Sequence, residues 1–222
     1  MELIERMREY IFSYNKMIFH EFYLKNFKNS WENPYGVSFE QFDIKDLDKL
    51  SDTISNMDFA SEFTIEDTIE RIEKGYFLFV AKHDNRIIGL SWLATNQCSI
   101  PYFDATIHLK PTEFFSMNAY VHKSFRGKSI FNLIRAYAYN TLKQKGYQRA
   151  LGAYFTWNKA SWRMNVKFGT IPIGYISFGY FFTFRYLINR VSSAKVITHT
   201  GPLCAWKKIV HKSNLLRQSR HE

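Results

Sequence analysis

The sequence predicts an α+β protein: a mixed, mostly antiparallel twisted sheet with a central parallel, splayed strand pair, flanked by helices. Three observations carry this. Apolar runs at 76–81 and 87–93 are joined by His83-Asp84-Asn85-Arg86, which is hairpin turn chemistry. Further on, an apolar run (113–121), a helical pattern (129–145) and a second apolar run (149–156) follow in order. A strand–helix–strand crossover sets its two strands parallel and adjacent, and splaying beyond that contact would expose backbone groups to a ligand. Between the first of these strands and the helix stands a basic glycine turn, Arg126-Gly127-Lys128. The first N–H groups of a helix lack internal partners and sit at its positive end, so such a junction can hold an anion.

The elements follow in chain order. Leu3, Met7, Tyr10, Ile11 and Tyr14 recur at helical spacing and predict a helix over 2–16, with a strand over 17–27. Asn33, Pro34 and Gly36 form a loop before a strand at 37–42 and a helix near 46–54. A helix over 65–74 has Thr64 as N-cap and Asp67 three residues on. After the hairpin, Pro101 and Pro111 bracket a poorly patterned stretch with one short strand. In the helix at 129–145, Ile130, Leu133, Ile134, Tyr137 and Leu142 share a face and Gly146 is the stop. A short helix at 159–167 and a strand at 175–187 complete the pattern. The domain reading is an N-terminal extension (1–36), a central domain (37–190) and a basic C-terminal segment (191–222).

The chain has 222 residues, 46% hydrophobic and 18% aromatic, enough for one sizeable core. Its net charge of +10 favours an anionic partner. Part of the excess lies in Lys207, Lys208, Lys212, Arg217 and Arg220, yet no nucleic-acid reading motif accompanies it, and nucleic acid is not expected as a partner. Cys98 and Cys204 have no metal-ligand spacing and form no disulfide framework. No metal site is expected, and a reducing cytoplasm is the expected compartment. The apolar stretch 171–188 contains Pro172, Gly174, Gly179 and Arg185 and reads as strand; no membrane span is expected.

The run from Ala119 to Gly169 resembles the GNAT superfamily of acyl-CoA-dependent N-acyltransferases. Arg126-Gly127-Lys128-Ser129-Ile130-Phe131 aligns with that family's phosphate-loop signature, Val121 with the last apolar residue of the preceding strand, and Asn158 and Gly169 with its Asn and Gly. The resemblance extends over about 37–187. It implies that Ala119 and Val121, with Tyr120 between them, offer main-chain groups to a pantetheine arm. It implies that Arg126, Gly127, Lys128, Ser129 and Ile130 hold pyrophosphate, and that Asn158 bonds a pantetheine amide, with Ser161 and Asn165 on the next helix beside it. Departures are visible. Ser129 and Phe131 replace two small residues, Thr170 replaces a Phe, and Asn165 stands where many members carry the Tyr that protonates the leaving thiolate.

Glu113 is the expected base: with side chains alternating at period two, it shares a strand face with Phe115, Met117, Ala119 and Val121. His108 and His122 are alternatives because imidazole titrates near neutrality. Tyr154 and Tyr137 are candidate proton donors. The expected function is N-acyl transfer, acetyl from acetyl-CoA or another acyl from its CoA ester, to an amine of a small metabolite or amino sugar. The alternatives are long-chain transfer from acyl carrier protein or fatty acyl-CoA, and non-catalytic acyl-CoA binding. Sheet edges leave a homodimer open.

Overall fold

The computed structural model describes residues 12–27, 35–48, 50–51, 64–181 and 184–198. The chain forms two compact units, one of residues 22–96 and 110–151 and the other of 1–21, 97–109 and 152–222. Several expectations lie outside the described residues: the helix over 2–11, Asn33 and Pro34 of the loop, positions 52–54 of the second helix, and the basic cluster beyond 198.

The unit of 22–96 and 110–151 holds β2 (Ser38–Gln41), β3 (Phe77–His83), β4 (Arg86–Thr95), β7 (Glu113–Val121) and the first residues of β8 (Arg149–Phe155). Their order is β8-β7-β4-β3-β2. All pairs are antiparallel except β7 and β8, the parallel pair that the crossover requires. Gln148 and Arg149 both donate backbone N–H groups to the Thr112 carbonyl, at 2.8 and 3.2 Å, tying the two strand starts together. The β3–β4 hairpin turns on two residues, Asp84 and Asn85, with φ of 48° and 64°. Among residues with a Cβ, Asn and Asp tolerate that region best.

Helices cover both faces of these strands. On one side α1 (Ile65–Glu73) starts in a capping box: Asp67 N–H donates to Thr64 Oγ1 at 3.0 Å and Thr64 N–H to Asp67 Oδ2 at 3.3 Å. Its Ile65 and Ile72 pack on a core of Phe42, Leu78, Val80, Leu90, Trp92 and Tyr120. On the other side α2 (Ile130–Gln144) lies close enough that a Cβ on Gly89 would sit 2.9 Å from Ile134 Cδ1. Ile130, Leu133, Ile134 and Leu142 are buried as expected. Tyr137, expected beside them, is 39% exposed, and Tyr139 takes the core position, its ring 5.1 Å from Phe114.

The second unit holds most of β1 (Phe12–Tyr23), the end of β8, β9 (Ile171–Phe181) and β10 (Phe184–Asn189), in the order β10-β9-β1-β8. Strand β1 begins at Phe12, not at 17. Pairing with β9, Met17 opposite Ile176, overrides the helical spacing of its first residues and leaves Asn15, Met17 and Phe19 buried in alternation. The one strand expected over 175–187 is two antiparallel strands, Phe184 opposite Phe181; their junction contains no Gly, Pro, Asn or Asp to mark it. A separate three-stranded sheet, β11-β6-β5, comprises β5 (Gln97–Ile100), β6 (Ala105–His108) and β11 (Lys195–Thr198). The 3-10 turn between β5 and β6 sends Phe103 to Phe178 and Tyr102 to Phe155, both with ring centroids 5.0 Å apart. Helix α3 (Lys159–Phe168) follows β8. No helix among the described residues is long and apolar enough to cross a membrane.

Candidate functional site

In the first unit, β7 ends at Val121 and the chain passes through the 3-10 turn Lys123–Phe125 and Arg126-Gly127-Lys128 to α2. Ser129 is the N-cap in the left-handed region (φ 57°), the conformation that favours glycine, and its side chain makes no capping bond. The first turn of α2 holds no acidic residue, so its leading N–H groups are left for another acceptor. Gly127 has φ 79° and nothing within 4 Å of where a Cβ would stand, so the backbone is open there. Arg126, Gly127 and Lys128 are exposed. Arg126 folds back, Nε donating to the Val121 carbonyl at 3.1 Å, which pins the guanidinium beside the strand end. Lys128 Nζ lies 5.0 Å from the Phe125 ring and 5.7 Å from that of Tyr35. Ile130 is buried and anchors the helix start. Phe131, at a position expected to be small, carries the Arg135 guanidinium 4.7 Å from its ring; burial lowers the pKa of Arg135.

Strand β7 carries a feature that period-two alternation misses. Its register against β4 shifts between Ser91/Ala119 and Trp92/Met117, leaving Asn118 as an extra residue with φ 35°. This is a β-bulge, and it reverses which residues share a face. Met117 and Tyr120 therefore both join the core on the α1 side. Ala119 is exposed. Helix α1 reaches the bulge, Arg71 Nη1 donating to Asn118 Oδ1 at 3.4 Å with its guanidinium 5.3 Å from the Trp92 ring. The sequence signal was Asn itself, the non-glycine residue that most readily adopts positive φ.

Glu113 is 5% exposed at the far start of β7. Its Oε1 accepts from Arg149 Nη1 at 2.7 Å and its Oε2 from Lys110 N–H at 3.0 Å. Oε1 ties β7 to β8 and Oε2 closes the turn before β7, and the bulge puts Glu113 on the opposite face from Ala119 and Val121. The expected base is thus a buried ion-pair partner. His122 is exposed with Nδ1 2.7 Å from Ser124 Oγ, and His108 is exposed on β6.

The other expected residues lie in the second unit. Asn158 is the N-cap of α3, its Oδ1 accepting from Ser161 N–H at 3.0 Å; its Nδ2 protons remain for other acceptors. Asn165 is 3% exposed, its Nδ2 donating to the Ser161 carbonyl at 2.9 Å. Its Oδ1 is buried with no hydrogen-bond partner among the described residues. Tyr154 is 9% exposed, 5.8 Å from the His20 ring, and burial raises its pKa. A cleft of about 250 Å³, lined by Tyr14, Asn15, Lys16, Thr156 and Trp157, opens where β8 ends.

No protein-family model matches the chain, and no curated protein matches it. Solved structures do. The chain is similar to a GCN5-related N-acetyltransferase from Sphaerobacter thermophilus, 12% identical with a TM-score of 0.56, over 81% of this chain and 56% of that one. It is also similar to a functionally unknown conserved protein from Staphylococcus epidermidis, 13% identical with a TM-score of 0.55, over 80% and 65%. The chain thus spans between about half and two thirds of the lengths of these proteins. Its fold is that of the GNAT superfamily.

Proposed function

We propose that a protein with this fold and this anion-ready helix start is an acyl-CoA-dependent N-acyltransferase, moving an acetyl group to the amine of a small metabolite or amino sugar. The observation that carries it is the start of α2: an uncapped N-terminus without acidic residues, with Arg126, Gly127 and Lys128 exposed directly after a bulged strand. Backbone N–H groups at a helix N-terminus and flanking cations suit a pyrophosphate. Within the second unit taken by itself, the buried Oδ1 of Asn165 has no donor among the described residues, and an amide N–H of the kind a pantetheine arm carries would satisfy it.

Bound there, acyl-CoA supplies an activated thioester: the amine nitrogen bonds to the acyl carbon, the C–S bond breaks, and the sulfur takes the proton the amine gives up. The residues of this chain hold and polarise. Ser129, Ile130 and the Arg126–Lys128 turn bind the phosphates. The Ala119 N–H, presented at the bulge, stabilises negative charge on the acyl oxygen. Asn165 is an amide and donates no proton to sulfur, so water or another hydroxyl does that.

Thermal stabilisation by CoA, acetyl-CoA and a long-chain acyl-CoA tests this. Specific binding at a hundredfold excess over Kd adds about 2.7 kcal/mol of stability. A shift with acetyl-CoA that Arg126→Ala diminishes is the expected result. A larger shift with the long chain would move the donor class to fatty acyl groups, and no shift with any of them would remove the proposal.

A further inference from the structure

Charge is divided unevenly along this chain. Between Glu113 and Glu222 there is no Asp or Glu, while 18 Lys and Arg fall in that stretch. The positive excess of the whole chain arises there, and an asymmetry of that size suits an extended anionic partner. Helix α3 lies within the stretch and sets cations beside apolar surface. Asn165 and Phe168 are buried and Ser161 and Met164 half-buried, so positions 161, 164, 165 and 168 make its inner face. The face turned away from them carries two stripes. Trp162 and Val166, one turn apart, are 49% and 58% exposed. Beside them Lys159, Arg163 and Lys167 recur at every fourth position, and all three are exposed. Asn158 and Gly169 bound the helix, and Ile171, just past it, is 52% exposed.

We infer that this outer face of α3 is a docking surface for an anionic phospholipid bilayer, with the helix lying in the plane of the headgroups. A helix that sets apolar side chains beside a run of cations, with no carboxylate among them, has the pattern that binds at such an interface. An indole suits that depth, its ring taking the apolar boundary and its N–H the wet side. Lys and Arg lay their stems along apolar surface and keep their charges at the phosphates. Nucleic acid would also answer the charge, but its phosphate backbone offers Val166 and Ile171 no apolar layer to enter. At 10 residues the helix is about 15 Å long, too short to span a bilayer and long enough to lie on one. The inference stands on this face and on the charge of the chain, and it does not depend on the transferase reading.

Sedimentation of the purified full chain with lipid vesicles tests it. Phosphatidylcholine vesicles containing about a third phosphatidylglycerol should bind at least about tenfold tighter than phosphatidylcholine alone, since each cation near an anionic surface adds about fivefold. Raising salt from about 0.1 to about 0.5 M should weaken that binding by screening. Lys159→Gln and Arg163→Gln together should remove most of the preference for the anionic vesicles. Trp162→Ala should weaken binding to them by at least about threefold, and Trp162→Phe should keep most of it. The three substituted side chains are exposed, so thermal midpoints should match the parent and a loss of binding will not be a loss of fold. Equal binding to both vesicle types would overturn the inference. Indifference to the α3 substitutions would also overturn it, and would assign the binding to cations elsewhere in the chain. A DNA duplex that binds more tightly than the vesicles, with no effect of Trp162→Ala, would replace the bilayer with nucleic acid.

Discussion

Glu113 shows what burial does to a catalytic-looking carboxylate. At 5% exposure, an ionised group needs a charged partner and hydrogen bonds, and Arg149 and the Lys110 N–H supply them. Glu113→Gln should therefore cost about 3–5 kcal/mol in urea unfolding, because it removes the negative charge that faces the buried Arg149 guanidinium. Any turnover by the folded fraction should stay near that of the parent, since both carboxylate oxygens are already bonded within the fold. Ser129 pays the opposite way: it holds a left-handed φ at a position where glycine would be unstrained. Ser129→Gly should raise stability by about 1 kcal/mol in the same assay. It should also leave the helix N-terminus as open as before, so CoA affinity should not fall.

Elements are governed by features that the residues reveal only in pairs. The bulge in β7 depends on Asn118 accepting positive φ and on Arg71 of α1 donating to it. In β9, Gly174 has φ 136°, and a Cβ there would fall 2.0 Å from the Arg190 carbonyl oxygen. Gly174→Ala must displace backbone, and loss of the cooperative thermal transition, or a large drop in its midpoint, is the expected outcome. Strands β1, β9 and β10 set Tyr14 and Tyr186 on either side of Gly179. Burial and the neighbouring Tyr14 push the Tyr186 phenol up to about 12. A phenol whose pKa is higher folded than unfolded stays protonated in the native state while the unfolded chain ionises. Stability is thus unaffected below about pH 10 and falls as pH rises from there towards 12. Tyr186→Phe should flatten that alkaline loss, as read by denaturant midpoints at pH 9 and 11.

For the molecule as a whole, the N-terminal strand matters more than its position in the chain suggests. Strand β1 lies between β8 and β9 in its unit, and both of its edges are paired. A fragment of residues 37–190 should therefore fail to give a cooperative unfolding transition by circular dichroism, because β9 and the end of β8 would face an empty strand position. A fragment that unfolds as sharply as the full chain would show that β1 is dispensable. The fold likeness rests on 12–13% identity, so the chemistry is carried by the residues of the site and not by the likeness.

Strand β7, helix α2, strand β8 and the basic turn between them were legible in the sequence because each is a local pattern. Period two, period 3.6 and turn chemistry are written in consecutive residues and need no partner to be read. The same holds for the capping box at Thr64 and for the open helix start at Ser129. Tertiary structure alone decided the bulge at Asn118, which takes its register from β4, and the extension of β1 into residues with helical spacing, which takes its pairing from β9. It also decided that Glu113 meets Arg149, 36 residues away, and that Lys16 stands at a cleft with Trp157. Such contacts depend on which distant strand lies alongside, and a sequence read along its length carries no record of that.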